Sequence, residues 1–226
     1  MVVSTPLHIV DFLTDDQRQA LEALGKPVVY PPGATVYWEG QPARSVLMIR
    51  KGSVKVSQRG PDGTEVPLAI RGVNEIIGDE GVLMGEVRSA TLTAVTVVEG
   101  LDIAADDILR FVEDNHLWPM MYRAAVYRRR QIEEQNLLGR LDVRGRLVNW
   151  LLDLKNKIGQ QAQDGSWTIE STLSQQEIAG CIGASRDAVA VELRKLRARG
   201  LITTARRRIV LHDLAGLQDD SPPSTG

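Results

Sequence analysis

The sequence predicts an α+β chain whose strands and helices are segregated along its length: a β-rich sandwich or barrel, then helices, then a winged helix-turn-helix. Three observations carry this. Residues 27–103 hold short β-branched runs punctuated at even intervals by turn residues. Residues 105–158 have helical character and are interrupted only by Pro119, Gly139 and Gly145. Residues 174–211 place two capped helical patterns and a basic hairpin in close succession.

Residues 11–25, DFLTDDQRQALEALG, have helical spacing and end at Gly25, a C-cap residue. In the β run the turns are PPG at 31–33, GS at 52–53, GPDG at 60–63, RG at 71–72 and EG at 99–100. Such spacing predicts antiparallel pairing, with GPDG as a hairpin tip between VKVSQR and TEVPLAI. The β pattern stops near residue 104. From Trp118 to Gly139 the chain predicts one long helix. Met120, Ala124, Tyr127, Gln131, Glu134, Leu138 and Leu141 alternate steps of four and three along it. That spacing fits a coiled-coil stripe, and equally a helix packed on its own domain. LDVRG at 141–145 breaks the run, and Leu147, Trp150, Leu151 and Leu154 resume it on one face.

SWTIE at 166–170 predicts a short strand. LSQQEIAGCIG opens with Ser174 and carries Glu177 three residues on, a capping box. Ile178, Ala179 and Ile182 form its apolar face, Gly183 breaks it, and Ser185 caps a second helix to about Arg199. Val189, Leu193 and Leu196 are that helix's buried stripe, while Asp187, Val191, Arg194, Lys195 and Ala198 face away. Gly200 ends it, and LITTARRRIVL predicts a hairpin with Arg206, Arg207 and Arg208 at its tip.

At 226 residues the chain is long enough for two domains, and 43% hydrophobic with 25% charged residues fits a soluble globular protein. No apolar run reaches about 18 residues, so no membrane span is expected. The start, MVVSTPLHIVDFL, lacks a basic region followed by an apolar stretch, so no secretory signal is expected. Cys181 is the single cysteine, which rules out an internal disulfide and suits a reducing compartment. It also rules out a cysteine-held iron–sulfur cluster. His8, His116 and His212 are scattered without ligand spacing, the His/Glu set of a cupin-type enzyme is missing, and no nucleophile–base motif is visible. The chain is therefore expected not to be an enzyme. Residues 1–141 carry 15 Lys/Arg against 19 Asp/Glu, a net of −4, whereas residues 171–212 carry 8 against 3, a net of +5. A basic cluster on an acidic protein points to a local polyanion contact, or to a solvated charged face.

The stretch IGDEGVLMGEVRSATLTAV at 77–95 places a Gly-acid pair ten residues before an Arg-Ser pair. On the residues alone, Arg88 would pair with Asp79 or Glu80 and hold a loop together. Together with LSQQEIAGCIGASRDAVAVELRKLRARGLI and the intervening LDVRGRL, the stretch resembles the cyclic AMP receptor protein/FNR family of bacterial transcription regulators over nearly the full chain. The resemblance implies a double-stranded β-helix (jelly-roll) sensor domain over 1–115 and a dimerisation helix and hinge over 116–141. A winged helix-turn-helix over 142–216 would follow. The tail 217–226 is expected to be disordered on its composition.

The resemblance also implies a phosphate-binding cassette. Gly78 would let the backbone approach a cyclic nucleotide. Arg88 would offer a forked donor to the phosphate, and Ser89 and the Ala90 backbone would add bonds. Asp79 would accept from the ribose hydroxyl, one methylene shorter than the family's glutamate. The family's base-facing Thr-Ser pair falls on Gln131 and Ile132, of which only Gln131 can hydrogen-bond. Arg128 and Arg130 lie close by and would suit a guanine or a second phosphate. The implied effector is cyclic AMP or a guanine cyclic nucleotide.

The base-reading trio Arg-Glu-x-x-x-Arg falls on Arg186, Asp187 and Val191. Arg186 can pair with guanine, Asp187 can accept from cytosine, and Val191 can touch a thymine methyl. Ser174, Gln176, Ser185, Arg194, Lys195 and Arg206 to Arg208 complete the expected DNA surface. Implied partners are double-stranded DNA, a second copy of the chain and RNA polymerase, in the cytoplasm. Two rivals are a ligand-independent regulator with a vestigial pocket and a nucleotide-binding module that regulates a protein partner.

Overall fold

Val46, Leu47, Met48 and Ile49 are four consecutive buried residues, because both faces of their strand are covered. The computed structural model describes residues 9–60, 63–138, 142–171 and 173–219, and for Arg128 and residues 130–138 it describes the backbone alone. The chain divides into two compact units, Met1–Gln58 with Arg71–Glu133, and Arg59–Ile70 with Glu134–Gly226.

The N-terminal β domain consists of two four-stranded sheets. One has the order β1 (Lys26–Tyr30), β8 (Val98–Ala104), β3 (Ser45–Lys51), β6 (Ile76–Ile77). The other has the order β2 (Thr35–Tyr37), β7 (Thr91–Ala94), β4 (Val54–Arg59), β5 (Glu65–Arg71). On β3, Leu47 and Ile49 point into the core shared with Val54, Leu92, Ala94 and Val98. Val46 and Met48 point the other way, onto the helices. This is the jelly-roll architecture expected. The tip of the 60–63 turn closes through Gly60 N–H to the Thr64 carbonyl (2.7 Å) and Gly63 N–H to the Gly60 carbonyl (2.9 Å). Pro61 and Asp62 lie outside the described residues.

The helix expected over 11–25 is a 3-10 turn, Ile9–Phe12, followed by α1 (Asp15–Leu24), which Thr14 and Gln17 close with a reciprocal capping box. Gly25 caps it in an extended conformation (φ −89°), not a left-handed one. Its smallness is required by packing: a Cβ there would lie 2.5 Å from Leu101 Cβ. A short helix that the sequence pattern did not reveal, α2 (Asp79–Met84), sits inside the Gly-acid stretch. α3 (Ala105–Asp114) follows the β run and buries Ile108, Phe111 and Val112.

The long helix α4 spans Trp118–Leu138. Its expected seam is corrected at the N-terminal end. Met120 packs against the domain's own core, and Ala124 is only 8% exposed within a single chain, beside buried Met121. The face open to solvent carries Trp118, Tyr122, Ala125 and Arg129, with Tyr122 72% exposed. Periodicity identifies a stripe but not what covers it, and here the domain core takes it. Of the remaining seam positions, Tyr127 is half-buried, and Gln131, Glu134, Leu138 and Leu141 lie outside the described side chains.

In the C-terminal unit, α5 (Val143–Ile158) starts at Asp142, whose carboxylate accepts from Gly145 N–H at 2.8 Å, and buries Leu147, Leu151 and Leu154. A four-stranded sheet runs β11 (Ile202–Ala205), β12 (Arg208–Leu211), β10 (Trp167–Glu170), β9 (Gly159–Gln161). Polar β9 gave no strand signal in the sequence; it is recruited by pairing with β10. α6 (Gln175–Ile182) and α7 (Arg186–Ala198) form the helix-turn-helix, with Gly183 in the left-handed conformation (φ 61°) between them. Chain order does not end there: α8 (Leu214–Asp219) contradicts disorder at 217–219, because fully buried Leu217 anchors it and Asp213 accepts from Gly216 N–H at 2.9 Å. Residues 220–226 lie outside the described residues.

Candidate functional site

Arg88 is the least expected side chain of the β domain: an arginine 5% exposed. Its backbone is fixed at both ends, its N–H donating to the Gln41 carbonyl (2.7 Å) and its carbonyl accepting from Gly40 N–H (2.9 Å). Nη1 donates to the Gly78 carbonyl (2.8 Å) and Nη2 to the Ser45 carbonyl (2.6 Å). The guanidinium lies over the Tyr37 ring, 3.7 Å from its centroid. Among the described residues, no Asp or Glu makes an ion pair with it. The pairing with Asp79 or Glu80 open on sequence grounds is therefore replaced by backbone carbonyls and an aromatic face. Burial lowers the guanidinium pKa from its ordinary value.

A buried cation with no carboxylate in direct contact is costly unless a counterion arrives, although the charge of nearby Asp102 offsets part of that cost. An arginine has five N–H donors, and the two carbonyls account for two of them. The arrangement can therefore accept an anion. Gly78 makes the geometry possible: its φ is 80°, and a Cβ would lie 2.5 Å from Arg88 Nη1 and 2.9 Å from Tyr37 Cε2.

Around it, Asp79 is 7% exposed and Ala90 half-buried. Ser89 is exposed; its hydroxyl donates to Glu80 Oε2 (2.8 Å), while its carbonyl accepts from Gln58 Nε2 (2.8 Å). Gly78, Arg88 and Ser89 are thus brought together with Glu80 of the same stretch, and with Tyr37, Ser45 and Asp102 as neighbours no sequence motif marked. The side chains of Arg128, Gln131 and Ile132, expected at the base, lie outside the described residues, as does that of Arg130.

On the C-terminal unit, Val189, Leu193 and Leu196 are buried, which turns Arg186, Asp187, Val191, Arg194 and Lys195 outward on α7. Val191 is 42% exposed, an apolar side chain on an otherwise charged face. Lys195 Nζ pairs with Glu192 at 2.7 Å. Arg206 and Arg207 occupy the turn between β11 and β12, Arg207 at φ 62°, while Arg208 leans toward Glu170 at 3.8 Å. Gln176 is exposed on α6. The expected DNA contacts Ser174 and Ser185 serve as helix caps. Ser174 accepts from Glu177 N–H and donates to Glu177 Oε2, and Ser185 accepts from Ala188 N–H. The α6–α7 turn is itself tied down by Arg146, which donates to the Gly183 carbonyl at 2.8 Å.

Two family models match. Residues 27–115 match the cyclic nucleotide-binding domain, and residues 145–220 match the Crp-like helix-turn-helix domain. A CRP-like cAMP-activated global transcriptional regulator of Mycobacterium tuberculosis is 31% identical over 202 residues, 87% of this chain and 90% of the relative. The cAMP-activated global transcriptional regulator CRP of Escherichia coli is 30% identical over 186 residues, 81% and 88% of the two chains. Among solved structures, the c-di-GMP responsive global regulator CLP of Xanthomonas campestris has a TM-score of 0.62 and 25% identity, covering 88% of this chain and all of that one. FixK2 of Bradyrhizobium japonicum shares the fold with a TM-score of 0.71 at 20% identity, covering 89% and 99%.

Proposed function

The chain belongs to the CRP/FNR family of transcription regulators, and on that premise we propose a homodimeric, sequence-specific DNA-binding regulator gated by a small phosphate-bearing effector of the cyclic nucleotide class. It acts by binding in the cytoplasm, with RNA polymerase as a further partner, and not by catalysis. α7 enters the major groove with Arg186, Asp187 and Val191 toward base edges, and the Arg206-Arg207 turn follows the phosphates. The second copy docks on α4 through the open stripe Trp118, Tyr122, Ala125 and Arg129, whose steps of four, three and four repeat the coiled-coil spacing.

One observation carries the effector half: a buried guanidinium, seated by two carbonyls and an aromatic ring, with no ion-pair partner among the described residues. The cAMP-activated relatives favour cyclic AMP, whereas the c-di-GMP responsive CLP and the arginines at 128 and 130 favour a guanine nucleotide. Calorimetry with cyclic AMP, cyclic GMP and cyclic di-GMP tests the class, and DNA binding with and without the bound nucleotide tests the gating. Arg88→Ala removes a charged hydrogen-bonding partner and is expected to cost about 2–5 kcal/mol, at least thirtyfold in affinity. The Ser89–Glu80 bond favours the second reading, a ligand-independent regulator, since the cassette already satisfies its own hydroxyl. No heat from any of the three nucleotides at millimolar ligand would decide for it.

A further inference from the structure

We propose that Tyr37 is a positioning residue for the effector phosphate: its ring seats the Arg88 guanidinium, and its hydroxyl, anchored on Asp102, locks that seat. The inference rests on Arg88 being the phosphate-binding group, as argued above.

Tyr37 is the last residue of β2 and 8% exposed, packed in the inter-sheet core beside Leu47, Leu92 and Val98. An aliphatic side chain would fill that position without bringing a hydroxyl that needs partners. The hydroxyl has two. It donates to Asp102 Oδ1 at 3.2 Å, and it shares a hydrogen bond with Ser45 Oγ at 3.2 Å. With the tyrosine O–H directed at Asp102, the Ser45 hydroxyl is the donor in the second bond. Burial raises the Tyr37 pKa, which keeps that proton in place. Ser45 closes the circuit, because its carbonyl accepts from Arg88 Nη2 at 2.6 Å.

Tyr37, Ser45, Gly78 and Arg88 thus form one close-packed layer, with no room at Gly78 for even a methyl group. Both ends of Arg88 are held, the backbone by Gly40 and Gln41 and the guanidinium by the layer. The stacked face fixes the plane of the fork, and the two carbonyls fix its rotation within that plane. The remaining N–H groups then have a set direction.

Asp102 hydrogen-bonds the tyrosine hydroxyl and reaches the guanidinium as a nearby negative charge, which raises the Arg88 pKa against the effect of burial. A carboxylate in direct contact would occupy the donors and cancel the charge an incoming anion needs. The neutral phenol carries the anchoring bond to Asp102 while leaving the cation for the ligand. A fork held this rigidly can tell apart the two exocyclic oxygens of a cyclic phosphate.

The test uses the full chain with cyclic AMP and cyclic GMP phosphorothioates, each as its Rp and Sp diastereomer, alongside the parent nucleotides. The variants are Tyr37→Leu and Tyr37→Phe, with thermal unfolding as the check on folding. Should Tyr37→Leu not fold, Tyr37→Met, which keeps bulk without a π face, replaces it. Wild-type protein is expected to bind one diastereomer at least tenfold more tightly. Losing the stack lowers parent-nucleotide affinity by about tenfold and brings the Rp/Sp ratio toward one. Tyr37→Phe, which keeps the face but loses the anchor on Asp102, is expected to fall between wild type and Tyr37→Leu in both measures. An equal fall for both diastereomers with the ratio intact would mean a merely structural role and overturn the proposal. So would an unchanged Tyr37→Leu. Wild-type protein that binds none of the nucleotides overturns the effector class itself, a failure the variants are not needed to see.

Discussion

Gly78→Ala perturbs the candidate phosphate site without touching a charge. Its cost has two parts. Gly78 sits at φ 80°, where an alanine costs about 1 kcal/mol relative to glycine. The added Cβ would also lie 2.5 Å from Arg88 Nη1 and 3.3 Å from Arg88 Cζ, so the guanidinium must leave its seat. Losing one charged hydrogen bond, or holding a side chain off its rotamer, adds about 1–3 kcal/mol. The expected destabilisation is therefore about 2–4 kcal/mol, or a fall of about 1–2 M in the urea midpoint for a slope near 2 kcal/mol/M. Nucleotide affinity is expected to drop at least tenfold, because the donor has been displaced. Gly33→Ala is the control: its φ is also positive (86°), but nothing lies within 4 Å of the new Cβ. It carries the backbone cost alone, about 1 kcal/mol, and leaves nucleotide binding unchanged. Urea unfolding followed by circular dichroism, with calorimetry on the folded variants, makes the comparison. If Gly78→Ala matched Gly33→Ala in both measurements, the close contact with Arg88 would not hold and the reasoning from it would fail.

On the DNA side, Arg186→Ala is expected to relax preference at one base pair per half-site, for a loss of about 1–3 kcal/mol of discrimination, measured by binding to single-substitution operators. Arg207→Ala is expected to weaken binding to all sequences alike and to flatten the slope of log affinity against log salt by about one, read from titrations at several salt concentrations. On α4, Tyr122→Asp is expected to give a monomer at micromolar concentration by sedimentation equilibrium while leaving the thermal transition of the domain in place. Ala124→Asp, aimed at the domain's own core, is expected to unfold it instead; the reverse assignment would refute the reading of the open face.

Local chemistry alone determined a large part of this protein. Ser174 with Glu177, and Ser185 before Arg186, mark helix starts because the capping bonds are made within four residues. Leu193 and Leu196 mark the buried face of α7, and so its outward face, because a helix has only one period to obey. Turn residues likewise delimited the strands, since glycine admits backbone angles closed to other residues and proline fixes its own, whatever surrounds them. The family motif at 77–95 marked Gly78, Arg88 and Ser89 as a group.

Tertiary structure decided what those residues touch. Tyr37, Ser45 and Asp102 stand far from Arg88 in the chain, and sheet pairing puts Tyr37 and Ser45 at its guanidinium and Asp102 on the Tyr37 hydroxyl. The same is true of Gly25, whose missing side chain answers to Leu101 on β8, and of β9, which is a strand only because β10 offers it hydrogen bonds. On α4, the stripe through Met120 and Ala124 was visible, but whether the domain core or a second copy covers it depends on where β3 and β8 deliver Met48 and Leu101. A sequence fixes the period of an apolar face through bonds between near neighbours. The partner of that face is chosen by contacts that close only when distant strands meet.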